Sequence, residues 1–282
     1  MGCLYVVATP IGNLEDITIR ATRILSEVDS ILCEDTRRTI KLLNSLGIKN
    51  KLISFNKNNE LNKTPLIIDK LKSHNYALVS DAGTPTISDP GSKLVKEALE
   101  NNIKVIPIPG ASSLLAAYSA SGITSNDFIF QGFPPRRKKE VEILLLNLKN
   151  LNKDIIFFES PKRIELLINR ISEIFYNSRV IVFRELTKIY EETLIREPKK
   201  EFPKINTLKG EFVVIIEREG LDKSLSEKIN NTDEIILKLK EFISMGLSGK
   251  DSVRNTAEYL GLSNKKIYNI YINKILKPKR KL

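Results

Sequence analysis

Apolar positions in the first third of the chain fall into short continuous runs, separated by longer charged stretches. Leu4-Tyr5-Val6-Val7-Ala8 ends at Thr9-Pro10, and Ser30-Ile31-Leu32-Cys33, Tyr76-Ala77-Leu78-Val79 and Ile103–Ile106 are further runs of this kind. Between them, residues 18–27 set Ile19 and Leu25 among charges, with Val28 following. Thr36–Leu46 is closed by Gly47, Lys93–Glu100 follows a Pro-Gly pair, and Ser112–Ser121 is closed by Gly122; all four read as helices. His74, before Asn75, reads as a helix C-terminal cap. Strands that are apolar throughout and alternate with helices predict a parallel sheet covered on both faces.

After Ser121-Gly122-Ile123-Thr124 the rhythm changes. Phe128-Ile129-Phe130 and Ile155-Ile156-Phe157-Phe158 are strand-like and each is followed by a charged helix. Val180–Phe183, Glu192–Ile195 and Phe212–Ile216 then follow as strands without intervening helices, which predicts a mixed sheet. Beyond Gly220 only helical spacing remains. The chain is therefore read as α/β, with a parallel-sheet domain over residues 1–122, a mixed-sheet domain over 123–220 and a small helical appendage over 221–282.

Charge and rare residues narrow the function. Forty-five Lys and Arg against 34 Asp and Glu leave +11 on 282 residues, a surplus suited to a polyanion. One histidine and two cysteines exclude a His-rich or Cys-rich zinc site and a disulfide framework, so no metal site is expected. The longest apolar run, Cys3–Ala8, is far below the ~20 residues of a membrane span. With no basic segment ahead of it, a cytoplasmic protein without membrane contact is expected.

Chemistry concentrates in loops after strands. Thr9-Pro10-Ile11-Gly12-Asn13, Ser80-Asp81-Ala82-Gly83-Thr84-Pro85 with Ser88-Asp89-Pro90-Gly91, and Pro107-Ile108-Pro109-Gly110-Ala111-Ser112-Ser113 combine glycine and proline. Glycine admits a ligand close to the backbone, and proline holds the loop in shape before binding. Neither Gly-x-Gly-x-x-Gly nor a Walker A loop occurs. Cys33-Glu34-Asp35-Thr36-Arg37-Arg38-Thr39 sets two carboxylates before two guanidiniums. That pattern suits phosphate holding and hydroxyl orientation, and it equally suits helix capping by Asp35 or Thr36. Arg136-Arg137-Lys138-Lys139 after Gly132-Phe133-Pro134-Pro135 suits an RNA backbone or a solvated helix start.

Taken in order, these loops together with Phe158-Glu159-Ser160-Pro161 resemble the bacterial ribosomal RNA small-subunit methyltransferases of the tetrapyrrole-methylase-like class. The resemblance spans residues 3 to about 217. It implies a two-domain fold of that class, S-adenosylmethionine as donor, a homodimer, and 2'-O-methylation of a cytidine ribose in the decoding region of 16S rRNA, free or in the small ribosomal subunit. It implies donor contacts at Asp81, Gly83, Thr84, Ser112 and Ser113, with Pro10 and Gly12 beneath the cleft and Phe158 and Ser160 approaching from the second domain. Tetrapyrrole-directed relatives usually carry Gly-x-Gly-Pro-Gly near the N-terminus. Thr9–Asn13 departs from it, pointing to the RNA-directed branch.

A ribose hydroxyl is a poor nucleophile and needs a group to orient it or accept its proton. Glu34, Asp35 and Glu159 are the candidates, with Arg37, Arg184 and Lys188 as clamps. Arg37, Arg38, Arg136, Arg137 and Lys138 are candidate RNA contacts, joined by Lys265 and Lys266 in the appendage. There Val253, Ala257, Leu260, Leu262, Ile267, Ile270 and Ile275 keep helical spacing broken at Gly261-Leu262-Ser263, a helix-turn-helix pattern. From Lys265 to Leu282 the chain carries seven Lys and Arg and no acid, suited to RNA or to a helical hairpin that only packs. Two rivals share this pattern: the same fold acting on a small acceptor, disfavoured by the basic tail and Arg37-Arg38, and a ligand-sensing DNA regulator, disfavoured by the clustered loops.

Overall fold

A computed structural model of the chain describes residues 2–205, 207–219, 232–260 and 262–276. It divides into two compact units, residues 1–218 and 219–282.

The first unit opens with strands β1 (Cys3–Val7), β2 (Ser30–Cys33), β3 (Leu52–Ser54), β4 (Tyr76–Val79) and β5 (Lys104–Ile108), all parallel in the order β3-β2-β4-β1-β5. Alternate strand residues point to opposite faces, and both faces are covered. Val7, Ile31, Cys33, Ala77 and Val79 pack with Ala21, Ile24 and Leu25 of helix α1 (Ile19–Glu27) and Leu43 of α2 (Thr36–Ser45). Leu4, Leu32 and Leu78 pack oppositely, with Ile67, Ile68 and Leu71 of α3 (Glu60–Leu71) and Leu94 and Ala98 of α4 (Ser92–Glu100). Helix starts are locally encoded: the Thr18 hydroxyl accepts from the Ala21 N–H at 3.0 Å, and the Asp35 carboxylate accepts from the Arg37 N–H at 2.9 Å.

Strands β6 (Phe128–Gly132), β7 (Asp154–Glu159), β8 (Val180–Arg184), β9 (Glu192–Arg196) and β10 (Phe212–Ile216) form the second sheet, ordered β6-β7-β10-β8-β9. Only β6 and β7 are parallel, so this sheet is mixed and the α/β reading holds. One face packs under α6 (Lys138–Lys149) and α7 (Ile164–Ile174) through Phe157, Val182, Phe212 and Val214. The other face presents Ile156, Ile181, Phe183 and Ile215 to Ala117 of α5 (Ser113–Ala120). Helix α5 follows the last strand of the first sheet but packs on the second, so its own start is fixed between the two.

The second unit holds α8 (Thr232–Ser244), α9 (Gly249–Leu260) and α10 (Asn264–Ile270) around Ile235, Leu239, Val253, Ala257, Leu260 and Ile267. Ser263 caps α10 with its hydroxyl toward the Lys266 N–H. Gly261, the expected break between α9 and α10, lies outside the described residues, as do Lys277, Lys279, Arg280 and Lys281. Lys265 is exposed and Lys266 half-buried. Among the described residues no helix is long and apolar enough to cross a membrane.

Candidate active site

The loops after β1, β2, β4 and β5 leave the carboxyl ends of the parallel sheet, where open α/β sheets bind ligands. The Thr9 N–H donates to the Gly83 carbonyl at 2.9 Å and the Gly83 N–H to the Thr9 carbonyl at 3.0 Å, locking the loops after β1 and β4 together. Gly83 has φ 79°, a left-handed conformation that costs glycine nothing. The Thr84 hydroxyl donates to the Ala111 carbonyl at 3.2 Å and ties in the loop after β5. The second sheet closes the space from the other side with Phe158–Pro161, Leu186 and Phe212. The result is a cavity of about 330 Å³, within the range of small-molecule sites. Phe158 meets Phe130 edge-on at 4.8 Å between centroids and the half-exposed Phe133 at 5.9 Å.

This cavity gathers Asp81, Gly83, Thr84, Ser112, Ser113, Phe158, Glu159 and Ser160, residues up to 79 positions apart in the chain, with Arg38 at its edge. Ile11 lines it, whereas its neighbours Pro10 and Gly12 lie outside the lining. Gly12 instead packs on the loop between β8 and β9: a Cβ there would stand 2.8 Å from the Thr187 hydroxyl and 3.0 Å from the Leu186 carbonyl. That loop is itself strained, with Glu185 at φ 53° and Thr187 at φ 65°. Gly12→Ala is therefore expected to cost about 1–3 kcal/mol through overpacking. Thermal unfolding of the variant should show this as a Tm several degrees lower.

A second pocket shares Asp81 with the first and is otherwise lined by Glu34, Asp35, Thr36, Arg37, Ser54, Asn56, Lys57 and Asn58. Every one of these side chains is polar. Asp81 borders both spaces: its Oδ1 accepts from the Asp35 N–H at 3.0 Å and its Oδ2 lies 3.5 Å from Arg38 Nε.

The acids of the site differ in what already holds them. Asp35 accepts from Arg37 Nε at 3.0 Å and from its Nη2 at 2.7 Å. With the Arg37 backbone N–H added, these bonds pull its carboxyl down to about 2. Glu159 is buried, and its Oε1 receives the Ser160 N–H at 2.7 Å, the Ser160 hydroxyl at 3.2 Å and Arg163 Nη2 at 2.8 Å. Glu34 has no hydrogen bond or ion pair among the described residues. Burial, then the nearby charges of Asp81 and Asp89, push its carboxyl above the usual range, against Lys57 and Arg38. Asp89 is raised likewise, mainly by burial.

Other candidate residues stand elsewhere. Arg136, Arg137 and Lys138 are exposed at the start of α6, and Arg137 lies 3.4 Å from Glu140. Arg184 is buried on Glu192 at 3.2 Å, and Lys188 is held by Glu185 at 2.8 Å and Glu211 at 3.0 Å, so neither is a free clamp. His74 donates its backbone N–H to the Lys70 carbonyl at 3.0 Å, closing α3. Sequence reading passed over Asp89, Leu186, Asn56, Lys57 and Asn58. Asp89 stood in a quoted loop, while the others carry no pattern and are recruited only by folding.

A profile of the tetrapyrrole (corrin/porphyrin) methylases matches residues 3–203. Ribosomal RNA small subunit methyltransferase I of Halalkalibacterium halodurans is 42% identical over 273 residues, covering 96% of this chain and 94% of that one. The chain belongs to the ribosomal RNA small subunit methyltransferase I family. It is a methyltransferase of the tetrapyrrole methylase class. The Thermotoga maritima member is 46% identical over 220 residues, which is 98% of that protein but 77% of this one. Solved structures share the fold at low identity. Diphthine synthase aligns with TM-score 0.58 and 14% identity, over 77% of this chain and 90% of that one. Uroporphyrin-III-C-methyltransferase from Thermus thermophilus gives 0.53 and 17%, over 77% and 94%.

Family membership implies S-adenosylmethionine, and the cavity residues fit it. Phe133 and Phe158 provide aromatic surface for a purine, the start of α5 at Ser112 and Ser113 presents backbone N–H groups suited to a carboxylate, and Asp81 and Asp89 favour a cationic ligand. Among the described residues no group of three or more His, Cys, Asp or Glu could hold a metal ion.

Proposed function

We propose that this family member methylates the 2'-hydroxyl of a cytidine ribose in 16S rRNA, in the decoding region of the small ribosomal subunit, with S-adenosylmethionine as donor. The observation that carries the reading is the pairing of two spaces across Asp81: a partly aromatic cavity of donor size and an all-polar pocket holding an unengaged carboxylate, Glu34. The names of the relatives supply the RNA.

When bound, the donor supplies an electrophilic methyl group on a sulfonium sulfur that leaves as a neutral thioether. Asp81, Gly83, Thr84, Ser112 and Ser113 hold it from the first sheet, and Phe158 and Ser160 from the second. Ile11 takes the place beneath it that was expected of Pro10 and Gly12. Glu34 accepts the proton of the ribose hydroxyl as the oxygen–carbon bond forms. Asp35 and Arg37 grip each other beside it, and Glu159 braces the Ser160–Arg163 turn. Positioning in a water-poor cleft does the rest. Arg38 guides the strand at the site, and Arg136, Arg137, Lys138, Lys265 and Lys266 add phosphate contacts. In this reading the enzyme is a cytoplasmic homodimer, and residues 1–122 and 123–220 act as the two jaws of the cleft.

Mass mapping of 16S rRNA from cells lacking the gene tests the reading. One 2'-O-methylcytidine should disappear and return with the wild-type gene; an unaltered methylation map overturns it. A second expectation concerns the donor. Asp81→Ala removes the shared wall and frees the Asp35 N–H, so calorimetric titration should show S-adenosylmethionine binding weakened about tenfold or more, the scale of a lost hydrogen bond to a charged group. Unchanged affinity would place the donor elsewhere.

A further inference from the structure

We infer that the polar pocket between the β2–α2 and β3–α3 loops is the seat of the acceptor nucleotide's base, stacked on the Arg37 guanidinium and read by Lys57 and Asn58. The assignment rests on the RNA reading above and adds where the base lies and what recognises it.

The first reason is connectivity. In a nucleoside the 2'-hydroxyl and the base hang on neighbouring ribose carbons. A hydroxyl presented to the donor cavity beside Asp81 therefore leaves its base within reach of the adjoining pocket that Asp81 also lines.

The second reason is the state of Arg37. Its guanidinium is clamped edge-on by both Asp35 oxygens, at 3.0 and 2.7 Å, yet its side chain remains 86% exposed. Clamping consumes the Nε–Nη2 edge, fixes the plane and leaves the flat faces open. A planar cation held in one orientation is a stacking platform, and unpaired RNA bases stack on arginine planes.

The third reason is the loop after β3. Asn56 N–H donates to Asn59 Oδ1 at 2.9 Å and Asn58 N–H to Asn56 Oδ1 at 3.1 Å, while Asn59 Nδ2 reaches the Ser54 carbonyl at 3.3 Å. These bonds hold the loop in shape. The Lys57 ammonium and the Asn58 side-chain amide, by contrast, have no hydrogen bond or ion pair among the described residues. Two free donors on a pre-shaped loop match the two adjacent acceptors of cytosine, O2 and N3. Uracil carries a donor at N3, which an ammonium cannot accept, so Lys57 set against N3 discriminates against it.

Methyl transfer to small-subunit RNA bearing cytidine or uridine at the acceptor position tests this, using full-length wild type, Lys57→Ala, Asn58→Ala, the double variant and Arg37→Lys. Wild type should prefer cytidine by at least about tenfold, the scale of one good base contact. Lys57→Ala and Asn58→Ala should each lower kcat/KM on the cytidine substrate by a similar factor, and Lys57→Ala should also shrink the preference. Arg37→Lys, which keeps the charge and loses the plane, should raise KM for RNA. Calorimetry should show S-adenosylmethionine affinity unchanged, and melting should show the variants folded. A folded double variant with wild-type rate and preference overturns the assignment while leaving the RNA reading intact. Wild type that methylates neither RNA overturns both.

Discussion

Glu34→Gln should lower the rate constant for methyl transfer by about 10²- to 10⁴-fold, the usual contribution of a general base, while S-adenosylmethionine still binds. Three carboxylates were candidates from sequence, and the fold separates them. Asp35 already accepts three bonds from Arg37, and its carboxyl is held down at about 2, which makes it a poor proton acceptor. Glu159 is buried on Arg163 and Ser160. Glu34 is left unengaged in the pocket beside Asp81, with its carboxyl raised first by burial and then by Asp81 and Asp89. The sign of the pH dependence follows: a base works only when deprotonated, so the wild-type rate should fall as pH drops through a value above the ordinary glutamate range. In Glu34→Gln that acid limb should vanish along with most of the rate. Single-turnover kinetics across a pH series measures both. A Glu34→Gln variant with wild-type rate and the same acid limb would move the proton to another group.

Removal of residues 219–282 is expected to leave donor binding nearly unchanged and to collapse RNA affinity. The residues lining the cavity all belong to the unit spanning residues 1–218, which has its own cores on both sheets. The Thermotoga maritima relative is matched over 98% of its length by 77% of this chain, so a member of the family exists at about the size of that unit. The segment removed contains the seven Lys and Arg that follow Asn264 without an acid. Each single-strand phosphate contact steepens the fall of log affinity with log salt by ~0.7, so seven contacts would make the two slopes differ by about 5. Filter binding of both proteins across a salt series reads this directly. Equal slopes and equal affinities would make the second unit a packing element and leave Arg38 and Arg136–Lys138 as the RNA surface.

The alternation of apolar runs with helical stretches was enough to mark nine of the ten strands, because a strand buried on two faces is apolar nearly throughout. The runs at 30–33, 76–79 and 212–216 coincide with β2, β4 and β10. Strand β3 was not legible: it is three half-buried residues with no pattern, and Pro65 interrupts the helical signal of α3 behind it. Glycine and proline marked the loops that line the cavity because turn chemistry is local, and a short backbone contact needs a small residue wherever it occurs. Local sequence also set the helix starts at Thr18, Asp35 and Ser263, since a cap reaches only two or three residues ahead.

What tertiary structure decided was which groups are free. Glu34 and Asp35 are adjacent carboxylates in sequence, yet one caps a helix and grips an arginine while the other is left to titrate; that depends on where α2 begins and on Asp81, 46 residues later. Arg184 and Lys188 looked like clamps and proved to be consumed by Glu192, Glu185 and Glu211. Gly12 resembled a ligand loop and became a packing contact, because the loop at Leu186–Lys188 fills the space beside it. Sequence determines which chemical groups a chain owns and which short segments take shape by themselves. The engagement of a charge depends on partners brought from distant strands, and only the folded chain sets those distances.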